Sequence, residues 1–145
     1  MRLKLEIEPV PGASWGLSLA NLLPSDEWQE LRLKCLKRAA YTCEVCGEGS
    51  NKLQVHEKWV FNLHTKIQSL KDLKCVCEKC HSIHHMGRSR AVYPKKYIEE
   101  LIKHWCKVNK KTVKDFALYE REIHEINKKR FKVTFLVKVG RRVLA

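Results

Sequence analysis

The chain has 145 residues, enough for one domain with a modest core and too short for two full catalytic domains. Its 44% hydrophobic content excludes compositional disorder, and no apolar run approaches the ~20 residues of a bilayer span. The 29 Lys and Arg against 16 Asp and Glu leave a formal net charge of +13, which points to a polyanionic partner.

The opening residues, Met1 to Glu8, alternate charged and apolar side chains, unlike a signal peptide. The chain therefore reads as a soluble cytoplasmic protein, not secreted. Leu3, Leu5 and Ile7 predict a short half-buried strand. Pro9, Pro11, Gly12, Ser14 and Gly16 then break regular structure. A helix is expected from Ser25, with Asp26 and Glu27 in the first turn, where the helix dipole favours anions. Trp28, Leu31, Cys35, Leu36 and Ala39 form its apolar stripe. Leu53, Val55 and Trp59 suggest a strand, residues 60–76 are ambiguous, and Cys80 to His85 opens a short helix expected to stop at Gly87.

Gly87 to Tyr93 reads as a hinge, and beyond it Pro94 opens a helix. Tyr97, Ile98, Leu101, Ile102 and Trp105 share one face of that helix. Thr112-Val-Lys-Asp115 has the form of a capping box for a last helix carrying Val113, Phe116, Ile123 and Ile126. The alternation from Phe131 to Val137 predicts a closing strand. Residues 1–87 hold 12 basic and 10 acidic side chains, whereas residues 88–145 hold 17 and 6. Many lysines are accounted for as solvated helix faces. The asymmetry itself predicts a positive surface in the C-terminal half suited to phosphate backbone.

The cysteines and histidines carry the chemistry. Seven cysteines in a chain without an export signal argue against a disulfide framework. Cys43-x-x-Cys46 and Cys77-x-x-Cys80 are two knuckles, and four thiolates complete a closed tetrahedral zinc site, structural because it leaves no place for water. Cys75 is a poorer partner for Cys80, and Cys35 and Cys106 fall on apolar helical faces. On a helix His81 and His85 share one face at a spacing that lets two imidazoles meet one ion. His56, between the knuckles, is brought toward them once the knuckles are pinned. His64, His104 and His124 read as surface residues, and Trp59 as core.

The stretch Cys43-x-x-Cys46 … Leu53-Gln-Val55-His56-Glu57 … Asp72-Leu73 … Cys77-x-x-Cys80-His81-x-x-x-His85 resembles the HNH endonuclease family. The likeness covers residues 40–87; the Trp15 region and the Trp28 helix are similar to the lead-in of bacterial members whose strand reads His-Glu-x-Trp. It implies an α+β fold with a zinc-stapled ββα-metal core, flanking helices and a terminal strand. Residues 1–145 would form one domain: a strand and helix at 1–39, the finger at 40–87 and a basic helical extension at 88–145.

It also implies a catalytic divalent ion, Mg²⁺, Mn²⁺ or similar, held by His56, His81 and His85. Glu57 stands where the family has the histidine that activates water, and Asp72 where it has the asparagine that orients that base. Glu57 is then the base, a metal ligand, or the residue that disables the site and leaves a nucleic-acid-binding module. A carboxylate has the lower ordinary pKa and is the weaker base unless its surroundings raise it. The implied partner is nucleic acid, double-stranded DNA first, with Arg88, Arg90, Lys95 and Lys96 as candidate phosphate contacts.

Overall fold

The computed structural model describes residues 2–49 and 52–145. The elements in chain order are α1 (Leu19–Leu22), α2 (Ser25–Arg38), β1 (Gln54–Asn62), β2 (Ile67–Val76), α3 (Glu78–His84), α4 (Met86–Val92), α5 (Lys95–Asn109), α6 (Val113–Arg130), β3 (Leu136–Val139) and β4 (Arg142–Val143). The fold is mixed α+β. No helix among the described residues is long and apolar enough to cross a membrane.

The ambiguous stretch 60–76 resolves into a hairpin. Asn62 builds its turn: Oδ1 accepts from His64 N and Thr65 N, and Lys66 N donates to Asn62 O. β1 and β2 pair antiparallel, Glu57 opposite Leu73 and Lys58 opposite Asp72, with a break after Lys58 that leaves Lys71 as the extra residue of a bulge. Strand order is β1-β2-β3-β4, so β1 is a free edge. β2 and β3 run parallel.

The expected first strand does not pair into a sheet. Leu5 and Ile7 are buried as the alternation requires, but the backbone bonds go to side chains and a helix end. Lys4 N and Leu5 N donate to Asn109 Oδ1, Ile7 N donates to Tyr119 Oη, and Glu8 N donates to His84 O. Alternation reports burial of every second residue, whatever satisfies the backbone between them.

Three further expectations shift. The 78–84 helix ends at His85, whose φ of −105° and ψ of 48° break the helical path, and Gly87 sits inside α4 instead of terminating a helix. The expected hinge is therefore helical through Val92. The closing strand begins at Leu136, five residues late: Phe135 and Val137 keep the buried alternation, while Phe131 is 40% exposed. In α6 the capping box forms as expected, Thr112 Oγ1 accepting from Asp115 N and Asp115 Oδ2 from Thr112 N, but Val113 and Ile126 face outward.

The main core gathers Leu5, Val76, Ile83, Leu101, Trp105 and Phe116, with Cys43, Cys77 and Cys80 among them. A smaller cluster joins Cys35 and Leu36 of α2 to Cys75 of β2, so Cys35 and Cys75 are core residues. Gly12 allows one close approach: a Cβ there would lie 2.6 Å from Phe131 Cζ. That contact seats the 9–16 segment against the end of α6.

Candidate metal centre

Four cysteines form one cluster. The first knuckle follows α2, and Gly47 turns it with φ +79° while donating its N–H to Cys43 O. The second begins where β2 ends: Cys77 caps α3, and Cys80 lies in its first turn. Cys43, Cys46, Cys77 and Cys80 have their sulfurs within 4.8 Å of one another. Cys46 and Cys77 Sγ are 3.8 Å apart, about the edge of a tetrahedron with metal–sulfur bonds of ~2.3 Å. Backbone donors already point at this cluster, Cys46 N at Cys43 Sγ and Cys80 N at Cys77 Sγ, both at 3.4 Å.

The four thiols cannot all ionise on their own. Hydrogen bonds from the Cys77 and Cys80 thiols hold Cys43 far below the usual thiol range. The bond to Cys43 and then the bond to Cys77 push Cys80 far above it. A divalent cation is what lets four adjacent thiols be thiolates together, so the donor set fits a structural metal such as zinc.

Cys80 has a further partner. His104 of α5 is 8% exposed, and its Nε2 lies 3.3 Å from Cys80 Sγ. It is not the surface residue expected. Its place on α5 four residues before Val108 and three after Leu101 put it on the face turned to the cluster, a position only the packing of α5 on α3 reveals.

One turn along α3, three histidines converge. His56 comes from β1, His81 from α3 and His85 from its end, with ligand nitrogens within 4.8 Å of one another. Ring centroids are 5.5 Å apart for His56 and His81, 5.3 Å for His56 and His85, and 4.8 Å for His81 and His85. Burial pushes His81 down to about 3 and His85 down to about 4. Burial also lowers His56, opposed by its bond to Glu8. All three are therefore neutral at neutral pH, with a lone pair each for an ion.

Glu8 was not legible as a site residue. Its Oε1 lies 3.2 Å from His56 Nε2, and its Oε2 lies 3.1 Å from His84 Nδ1. Burial raises its pKa, but the hydrogen bonds of His56 and His84 outweigh that and keep it ionised well below the usual carboxylate range. An ionised carboxylate requires His56 Nε2 to be the donor, which leaves the lone pair on Nδ1 for an ion. His84 Nδ1 also lies 2.7 Å from Glu6 O and so carries the proton. Glu8, His56 and His84 also lie close enough to hold an ion, but the proton on His84 Nδ1 makes this group a hydrogen-bonded brace and not a ligand set. His84 stacks on His56 at 4.1 Å, fixing the ring plane.

Glu57 and His56 are neighbours on an edge strand, so their side chains leave opposite faces. A cavity of about 960 Å³ wraps that edge and is lined by both, with His81, His85 and Arg88. Leu19 N donates to both Glu57 oxygens at 3.2 and 3.1 Å, and Trp59 Nε1 donates to Oε1 at 3.1 Å. Burial raises the Glu57 pKa against these two bonds. Trp59 is thus part of the site and not simply core, and Trp28 lines the same cavity.

Asp72 does not orient Glu57. The register sets Glu57 opposite Leu73, and Asp72 one step away beside the bulge accepts Leu73 N at 2.8 Å instead. The basic residues also divide. Arg88 lines the cavity. Arg90 does not serve as a free phosphate contact: its Nε and Nη2 bond Glu120, both at 2.6 Å. Lys95 and Lys96 are exposed in the first turn of α5, outside the cavity lining.

No protein-family model matches the chain, and no curated protein or solved structure is significantly similar to it. The site is therefore read from its own chemistry.

Proposed function

We propose that the protein is an HNH-type, metal-dependent endonuclease that hydrolyses phosphodiester bonds of DNA. The observation that carries this reading is the convergence of His56, from the hairpin, with His81 and His85, from the helix that follows it, in the wall of a cavity that also holds Glu57. The order strand, strand, helix supports it, as do the neighbouring four-cysteine cluster as a zinc staple and the basic C-terminal half.

His56, His81 and His85 would hold the catalytic ion, and three imidazoles favour Zn²⁺, Fe²⁺ or Ni²⁺ over the oxygen-seeking Mg²⁺. When bound, such an ion supplies Lewis-acid stabilisation of charge developing on phosphate oxygens. Glu57 is the base: burial raises its proton affinity, while Leu19 N and Trp59 Nε1 hold the carboxylate in place. Glu8 and His84 keep His56 oriented with its lone pair available. Arg88 places a positive charge where the backbone enters.

A plasmid cleavage assay with each divalent metal tests the reading. Metal-dependent nicking that His81→Ala abolishes is the expected result. One observation favours a second reading: the carboxylate of Glu57 is already satisfied by two donors and has no orienting partner in Asp72. If Glu57 is inert, the protein binds nucleic acid in a salt-dependent way and cuts under no metal or pH.

A further inference from the structure

The four cysteine sulfurs are not all supplied with hydrogen bonds in the same way. A divalent ion among four thiolates leaves a net negative charge in the main core, and N–H donors aimed at the sulfurs spread it. Three of the sulfurs have such a donor from the backbone. Cys46 N points at Cys43 Sγ and Cys80 N at Cys77 Sγ, both at 3.4 Å. Glu48 N bonds Cys46 Sγ. Gly47, at φ +79°, turns the chain after the first knuckle and brings that N–H round to the sulfur.

The second knuckle has no such turn after it. Cys80 lies inside α3, where the N–H groups that follow point back along the helix. His81 N, the first of them, donates to Cys77 O at 2.9 Å. None is left for Cys80 Sγ. His104 of α5 stands at this gap. It is 8% exposed, between the fully buried Leu101 and Trp105 of the same helix face, and its Nε2 lies 3.3 Å from Cys80 Sγ. An imidazole buried among apolar side chains is costly without a partner, and this sulfur is a partner the structure gives it.

We propose that His104 is the fourth hydrogen-bond donor of the metal-loaded cysteine cluster, its Nε2–H donating to the Cys80 thiolate in place of the backbone N–H that α3 withholds. A metal-bound thiolate has no proton to give, so Nε2 must carry it. His104 is thus a positioning residue and not a metal ligand. Because it belongs to α5, the same bond ties the C-terminal half of the chain to the metal site. The inference rests on the cysteine cluster holding a divalent metal and is independent of the nuclease reading.

The full chain with Co²⁺ in the cysteine cluster tests it. A thiolate that loses a hydrogen bond holds its lone pairs at higher energy, so sulfur-to-cobalt charge-transfer absorption moves to longer wavelength. His104→Leu should show that shift and weaken zinc retention against a chelator by about 10- to 100-fold. His104→Gln offers an N–H at similar reach and should bring both back toward the parent. An unmoved band in His104→Leu overturns the proposal, as does a Gln variant that recovers neither property, the result expected if His104 only fills space. Should the variants fail to fold, the parent chain decides. With NMR-active cadmium in the cluster, a proton should be found on His104 Nε2 and be coupled to the metal across the Cys80 sulfur. Absence of either overturns the proposal, as does a chain that takes up no metal at its cysteines. Cleavage of DNA, present or absent, alters none of these outcomes.

Discussion

Two clusters of soft ligands sit one helical turn apart on α3, and they are built for opposite ends. The cysteine cluster is sunk in the main core, with Cys43, Cys77 and Cys80 among its buried residues. Backbone N–H groups and His104 surround its sulfurs. The histidine cluster stands in the wall of a large cavity, and His81 and His85 are only partly buried. Its support is a carboxylate and a stacked ring, which orient a ligand without closing the site. A closed tetrahedral set holds chain segments together, whereas an open one leaves positions for substrate. Cys77 and Cys80 stand at the start of α3, while His81 lies within it and His85 caps its end, so one short helix carries ligands of both clusters.

Removing one ligand from each cluster separates their roles. Cys77→Ser should unfold the chain or leave it molten, since structural zinc contributes on the order of 10–16 kcal/mol to folding. Circular dichroism and zinc content measure it. His81→Ala should keep zinc content and thermal melting close to those of the parent while cleavage falls to background. If instead both variants unfold, the histidine cluster is structural and the division of labour is wrong.

Glu57→Gln should lower the cleavage rate by about 10²- to 10⁴-fold with metal content unchanged, the range for loss of a general base. A base works deprotonated, so the rate of the parent should fall as pH drops through a carboxylate pKa raised above its ordinary 4.5. An inflection at that of an ordinary imidazole would place the base elsewhere.

Glu8→Gln should weaken metal binding at the histidines by about 10- to 100-fold, leaving the cysteine site untouched. Calorimetric titration with Zn²⁺ or Ni²⁺ of zinc-loaded protein separates the two sites. The same titration over pH checks the histidines themselves. In the metal-free site they lose their protons at about 3 and about 4 for His81 and His85. Both folded values lie below the unfolded value of 6.5, so their contribution to stability is present above 6.5 and is lost as pH falls toward them. Proton competition for the ion should accordingly be weak until pH approaches 4.

The smallest effects concern the arginines. Arg88→Ala should reduce DNA affinity and lower the salt slope by about 1. Arg90→Ala should leave DNA binding unchanged and cost about 1 kcal/mol or less, because the Glu120 pair it breaks is a partly exposed surface pair. Equal effects on DNA binding would show that the Arg90–Glu120 pair opens to phosphate.

The residues legible in the sequence were those whose chemistry depends on local spacing. Two x-x knuckles gave the cysteine cluster, and an i, i+4 pair gave the histidine face, because a turn and a helix fix distances over four residues without help from the rest of the chain. The capping box at Thr112 and the stripe of Ile98, Leu101 and Trp105 are of the same kind. Where hydrogen bonds and not side chains decide, the residue pattern misleads. Residues 3–7 alternate like a strand but bond to Asn109 and Tyr119, and Asp72 misses Glu57 because strand register is set by the hairpin turn and the bulge.

By itself, then, the sequence determined the two ligand sets and the charge asymmetry, since these follow from residue type and short spacing. Only the tertiary structure decided what braces them. Glu8 reaches His56 across 48 positions, His104 reaches Cys80 across 24, and Ser14, Gln68 and Asn127 line one cavity. No local pattern encodes such contacts. They exist because packing α5 on α3 and α6 on α5, and folding the N-terminal segment over them, is the way this chain buries its apolar faces.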